Sequence, residues 1–246
     1  MEKAINIFEG LNPEQVQAVR TIYGPVLVSA GPGAGKTAVL TRRAQYMITQ
    51  GIDPASILLT TFTNKAAGEI KERIIKVIGD EAKKITVGTF HSICNRILRQ
   101  YGERIGYCKT FTILSEDDAD KIFKKAAKQY ALEWKFLEGD EIQDSSETDA
   151  RLMELLAGED QNVFFVGDDF QSIYGFRHAN VELMLKLKDR YPNLKWINLQ
   201  NNYRSTNTIV YGAKTLIDKN KNQLKKTLIA ARDVEGSKII QTKCRN

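Results

Sequence analysis

The 246 residues carry 36 Lys and Arg against 30 Asp and Glu, a net charge of +6, and 42% of them are apolar. That composition supplies a packed core and excludes a chain disordered throughout, while the moderate basic excess favours phosphate-rich partners without specifying one. Three widely spaced cysteines (Cys94, Cys108 and Cys244), no CxxC pair and only two histidines support neither a disulfide framework nor a zinc site, and no run approaches the roughly 18 apolar residues of a membrane span.

In chain order, Asn12-Pro-Glu-Gln15 reads as a helix start, with Asn12 as N-cap, Pro13 at the first helical position and Gln15 completing a capping box. Short apolar runs then alternate with longer helical patterns. The predicted strands are Val26–Ser29, Ile57–Thr60, Ile85–Val87, Val163–Val166 and Trp196–Leu199. This alternation predicts an α/β fold with a central, mostly parallel sheet flanked by helices, whose ligands bind where the carboxyl ends of the strands converge. Residues 105–139 read as helical and charged, and Phe136-Leu-Glu-Gly139 makes a poor buried strand before Asp140. From about Lys214 the chain is rich in Lys and Asn and carries one weak apolar run.

The first strand runs into Ala30-Gly31-Pro32-Gly33-Ala34-Gly35-Lys36-Thr37 and then a helical pattern, the context that makes a glycine-rich loop a phosphate site. Its backbone N–H groups would face an anion at the positive end of a helix dipole. Lys36 would reach the β- and γ-phosphates, and Thr37 would offer its hydroxyl to Mg²⁺. The strict pattern has Gly where this chain has Ala30. Asp140-Glu141-Ile-Gln-Asp144 is the candidate acidic partner, Asp140 as metal ligand and Glu141 as the base on the attacking water. Two more polar clusters follow strands, one with Gln171 and one with Arg204, suited to sensing and neutralising a γ-phosphate.

Seven blocks stand in order between Leu11 and Thr206: LNPEQVQAV, AGPGAGKT, TFTNKAAGEIKERI, GTFHSICNRIL, DEIQDS, VGDDFQSIYGFRHAN and LQNNYRST. In this series the chain resembles the superfamily 1 DNA helicases of the UvrD/Rep/PcrA type, which commonly carry Ala at the position of Ala30. The resemblance implies a RecA-like P-loop NTPase domain using ATP and Mg²⁺, with catalytic groups at Lys36, Asp140, Glu141, Gln171 and Arg204. Gln15 is then similar to the family's adenine-reading glutamine, with Arg42 nearby; the capping box is its other reading. Tyr203 matches the tyrosine that stacks on the base.

The resemblance also implies single-stranded DNA as partner, bound without sequence preference through Phe62, Asn64, Thr89, His91, Tyr174, Phe176 and Arg177, of which Phe176 stands where the common pattern has Trp. Stacking on aromatics tolerates any base. Further implications are 3′→5′ movement, repair or replication proteins as partners and a monomeric state; the N-terminus, which carries no apolar h-region, and the absence of a membrane-length run point to a soluble cytoplasmic location without a membrane. The expected organisation is a first part of the motor domain at 1–104, a helical remnant of an accessory insertion at 105–138, a second part at 139–212, and at 213–246 the start of a connection to an absent second motor domain. That absence removes the family's arginine supplied across the cleft, so weak hydrolysis without unwinding is expected. A binding module gated by ATP, for single-stranded DNA or a partner protein, is the alternative.

Overall fold

A computed structural model describes residues 6–108, 135–145, 147–168, 170, 181–219 and 226–240. Six parallel strands form its centre: β1 (Val26–Ala30), β2 (Ile57–Thr60), β3 (Thr86–Gly88), β4 (Phe136–Gly139), β5 (Val163–Gly167) and β6 (Lys195–Leu199), in the order β3-β2-β4-β5-β1-β6. All five predicted strands are present, each within a residue of its expected bounds at either end. Because every pairing is parallel, the polar turns after β1, β2, β3, β4 and β5 all leave from one edge of the sheet.

Strand residues alternate between two apolar layers, as the period of two requires. Val26, Val28, Ile57, Leu59, Phe164 and Val166 face a cluster that includes Ala18, Val19, Leu40, Ala44, Met47, Ile70 and Ile74. These come from α1 (Pro13–Arg20), α2 (Lys36–Thr49) and α3 (Asn64–Ile78). Leu27, Leu58, Leu137, Val163 and Phe165 face the other way, onto Ile93 and Ile97 of α4 (Phe90–Tyr101), Met153 and Leu156 of α5 (Glu147–Ala157), and Met184 and Leu187 of α6 (Val181–Arg190). Helices therefore cover both faces, which is why β1, β2 and β5 read as near-continuous apolar runs. The chain continues through β7 (Asn201–Asn202) and α7 (Asn207–Ile217), and β8 (Ile229–Ala230) pairs with β7. No helix among the described residues is long and apolar enough to cross a membrane.

The exception to the sequence reading is β4. Phe136–Gly139, expected to be a poor strand, is buried along its length between β2 and β5. Its glutamate is tolerated because Arg43 of α2 stands against it, Nε 3.0 Å from Oε1 of Glu138, with both side chains out of water. The Arg43 guanidinium lies 4.0 Å from the centre of the Phe164 ring and donates to the carbonyls of Ala18, Thr21 and Ile22, where α1 ends. One buried cation thus ties α1, α2 and the sheet together. Burial pushes the Glu138 carboxyl up to about 7 and the Arg43 guanidinium down to about 10, so desolvation outweighs the attraction between them.

Candidate nucleotide and nucleic-acid site

The phosphate loop leaves β1 at Ala30 and enters α2 at Lys36. Gly33 and Gly35 have φ of 68° and 82°, the left-handed region. Gly35 is the N-cap of α2 and supplies no side-chain cap, so the first amides of the helix keep their capacity for an anion. A side chain at Gly35 would be strained in φ and would stand 2.7 Å from Nε2 of Gln15. The loop is fixed from below by Gly31, whose N–H donates to Leu199 O of β6 at 3.3 Å.

Helix α1 delivers Gln15 against this loop. Asn12 caps the helix and the reciprocal bonds of a capping box are both made, Gln15 N to Asn12 Oδ1 (2.8 Å) and Asn12 N to Gln15 Oε1 (2.9 Å). The remaining amide group of Gln15 donates to Ala34 O at 2.9 Å. The capping role is therefore real, and the same side chain also touches the loop. Tyr203 stands beside it: its hydroxyl accepts from Asn12 Nδ2 at 2.9 Å, its N–H donates to Gly33 O at 3.1 Å, and the residue is 43% exposed. Arg42 lies farther along α2, where its guanidinium reaches Gln45.

Asn202 organises the turn that carries Tyr203 and Arg204. Its buried side chain donates to Pro32 O (2.7 Å) and accepts from the N–H groups of Arg204 (2.9 Å) and Ser205 (2.8 Å). Sequence reading singled out Tyr203 and Arg204 but not this asparagine. Its position at a strand end before a polar turn was the available signal.

The acidic turn leaves β4 on the other side of β5. Asp140 is nearly buried, and its Oδ1 has no hydrogen-bond partner. Burial, then the negative charge of Glu141, pushes its carboxyl up to about 7, against the pull of Lys36. Glu141 adopts a left-handed conformation (φ 55°, ψ 46°), uncommon for a non-glycine residue and worth about 1 kcal/mol or more of strain. That turn brings its Oε2 to 3.3 Å from Lys36 Nζ and within 2.7 Å of Gln143 Nε2. Asp144 likewise has a buried oxygen without a partner, and burial pushes it up to about 6. Among the described residues no group of three or more His, Cys, Asp or Glu could hold a metal ion alone. Two buried carboxylate oxygens beside a phosphate loop instead fit Mg²⁺, which takes one or two carboxylates and completes its shell with phosphates and water.

Residues 11–135 and 124–192 match the family described as the UvrD/REP helicase N-terminal domain. The chain belongs to that family. Curated relatives include the ATP-dependent DNA helicase PcrA of Staphylococcus aureus, 31% identical over 311 aligned positions that take in 93% of this chain and 42% of the relative. The PcrA of Staphylococcus epidermidis is also 31% identical, over 95% of this chain and 43% of its own length. This UvrD/Rep chain therefore spans less than half the length of the relatives it matches. The alignment with the S. aureus protein is longer than the chain itself, so that relative carries residues inside the matched span that are missing here, and the two family matches meet between residues 124 and 135. Among solved structures, the Pif1 helicase of Candida albicans has a TM-score of 0.46 at 15% identity, over 76% of this chain and 40% of its own.

Within this UvrD/Rep domain, the residues read as DNA contacts that follow β2 and β3 converge. Thr89 caps α4, with Ser92 N donating to its Oγ1 at 3.2 Å, and its hydroxyl reaches Asn64 Oδ1, at the start of α3, at 3.4 Å. Thr61 N donates to Gly88 O at 3.1 Å, which binds the two strand-end turns together. Asn64 and His91 are exposed and Phe62 half-buried, so one polar face with an aromatic member lies along this edge. Gln171, Tyr174, Phe176 and Arg177 lie outside the described residues.

Proposed function

We propose that this chain is the ATP-binding and single-stranded-DNA-binding first motor domain of a DNA helicase that translocates 3′→5′. The observation that carries the reading is the 3.3 Å approach of Lys36 and Glu141, which joins the phosphate loop and the acidic turn across β5. Lys36 binds the β- and γ-phosphates, and Glu141 orients the attacking water and accepts its proton. Thr37 and Asp140 would hold Mg²⁺, which would supply charge neutralisation on the transferring phosphoryl group. Gln15 and Tyr203 take the adenine, with Arg42 nearby, and Arg204 and Gln171 contact the γ-phosphate. Phe62, Asn64, Thr89, His91, Tyr174, Phe176 and Arg177 form the DNA face.

Hydrolysis by these residues alone is slow and unwinding absent, because an arginine of the kind the family supplies from its second motor domain is worth about 10³–10⁵ in such reactions. The experiment is ATP turnover with and without single-stranded DNA, for the chain as it stands and for Lys36→Ala. Turnover above the Lys36→Ala background and raised by DNA supports the motor. Tight nucleotide binding with no turnover under either condition makes the chain an ATP-gated binding module instead.

A further inference from the structure

The stretch Lys226–Ala230 comes back over the nucleotide edge of the sheet. Ile229 and Ala230 pair with Asn201 and Asn202 as β8, and buried Leu228 occupies the space directly over Gly31 of the phosphate loop. At its head Lys226 Nζ lies 2.6 Å from Asp168 Oδ1, with the two side chains 1% and 0% exposed, and 4.0 Å from the centre of the Phe170 ring. Asp168 follows the last residue of β5. Its N–H donates to Gln143 Oε1 at 2.9 Å, Gln143 Nε2 donates to Glu141 Oε2 at 2.7 Å, and the same oxygen faces Lys36 at 3.3 Å. The polar path Lys226–Asp168–Gln143–Glu141–Lys36 is thus continuous from the returning strap to the phosphate loop.

Each link is geometrically constrained. A buried ammonium and carboxylate hold one another because either alone would be a charge stranded away from water. Gly167 lets the acidic turn close on β5: an added Cβ would meet Ile142 Cγ2 at 2.5 Å and Gln143 Oε1 at 3.0 Å. Glu141 itself is in a conformation that needs surrounding structure to maintain it.

We propose that Lys226 and Gln143 are positioning residues that hold the Glu141 carboxylate in place, so that the seating of the 226–230 strap sets the alignment of the base. This rests on the reading of Glu141 given above. Asp168 is the joint between them: pulled by Lys226 through its side chain, it presents its backbone N–H to Gln143. Loss of the strap contact lowers kcat for ATP while leaving KM nearly unchanged, because Glu141 acts on the water rather than on nucleotide binding.

Hydrogen exchange of the whole chain, followed by mass spectrometry, tests the path from both ends. Lys226→Met is expected to speed exchange in peptides covering 140–145 by about tenfold, the scale of one lost hydrogen bond, and Lys226→Arg to restore it. Gln143→Leu is expected to loosen 226–230 in return, which keeps the test decisive if Lys226→Met fails to fold. Changes confined to the neighbourhood of each substitution overturn the proposal. Steady-state turnover adds the second readout, a fall in kcat at constant KM for Lys226→Met. A wild-type rate no higher than that of Glu141→Gln would defeat the hydrolysis reading alone, since the exchange data judge the path without any turnover.

Discussion

Lys36 and Glu141 form an ion pair, Nζ to Oε2, at 3.3 Å, with the glutamate side chain 31% exposed and the lysine 13%. The two side chains therefore occupy one another. On the proposed function, phosphate oxygens would compete for Lys36 with more charge than a single carboxylate, and the exchange would free Glu141 to face water. Glu141→Gln is accordingly expected to leave nucleotide affinity unchanged or tighter, because Lys36 no longer has a rival partner, while turnover falls by about 10²–10⁴, the usual worth of a general base. Lys36→Ala weakens binding itself. Titration with a fluorescent nucleotide and steady-state assays separate the two, and a Glu141→Gln protein that no longer binds nucleotide would contradict the assignment.

The pair Arg43–Glu138 is predicted to matter to stability rather than to chemistry. Glu138→Leu leaves a fully buried guanidinium facing apolar side chains, and breaking a buried pair from one side costs about 3–5 kcal/mol. Replacing both, Arg43→Met with Glu138→Leu, removes the stranded charge and is expected to recover much of that loss. Recovery is incomplete, because Arg43 also satisfies the carbonyls at the end of α1. Urea denaturation of the two single variants and the double variant gives the coupling, and additive losses would refute it.

This pair also marks how far sequence reading reached. Four of the five predicted strands were legible because mostly apolar runs of four residues, bounded by polar turns, have few other uses in a sheet covered on both sides, and the fifth, expected at Ile85–Val87, is a three-residue strand at the sheet edge. Phe136–Gly139 escaped because Glu138 breaks its run, and the compensation sits in α2, which no local pattern connects to β4. The candidates for the site were legible for a different reason: Lys36, Thr37, Asp140 and Glu141 lie in motifs whose spacing suggests the roles proposed for them, and the fold brings Lys36 and Glu141 within 3.3 Å. What holds those groups was not. Gln143, Asn202 and Lys226 each make a hydrogen bond to a residue distant in the chain, and a polar residue in a polar turn looks the same whether or not its partner exists.

Stability should also depend on pH through Glu138. Its folded carboxyl titrates near 7, raised by burial above the ordinary 4.5, so between about 4.5 and about 7 the folded chain holds a proton that the unfolded chain has released. Stability from this group therefore falls as pH rises through that window and levels off above it. Glu138→Gln removes the titration. The difference in stability between wild type and Glu138→Gln is predicted to shift against the wild type from pH 5 to pH 7.5, in paired melting or urea curves. A difference that stays constant, or moves the other way, would show that Arg43 keeps Glu138 ionised throughout.

Asn202 offers the sharpest separation of acceptor from donor. Its Oδ1 receives the N–H groups of Arg204 and Ser205, and its Nδ2 gives to Pro32 O in the phosphate loop, so one side chain both shapes the turn and docks it. Asn202→Ala removes all three bonds and leaves buried groups unpaired, a loss of about 1–3 kcal/mol for each group stranded without water. Asn202→Asp keeps the acceptor, so the turn carrying Tyr203 and Arg204 survives, but a carboxylate oxygen then faces the Pro32 carbonyl and repels it. The expected order of nucleotide affinity is wild type above Asn202→Asp, with Asn202→Ala at or below the latter, and the aspartate variant nearer to wild type in stability than in binding. Equal affinity for wild type and Asn202→Asp would mean that the contact with Pro32 does not set the loop, and that the turn is positioned by the Tyr203 N–H to Gly33 O bond instead.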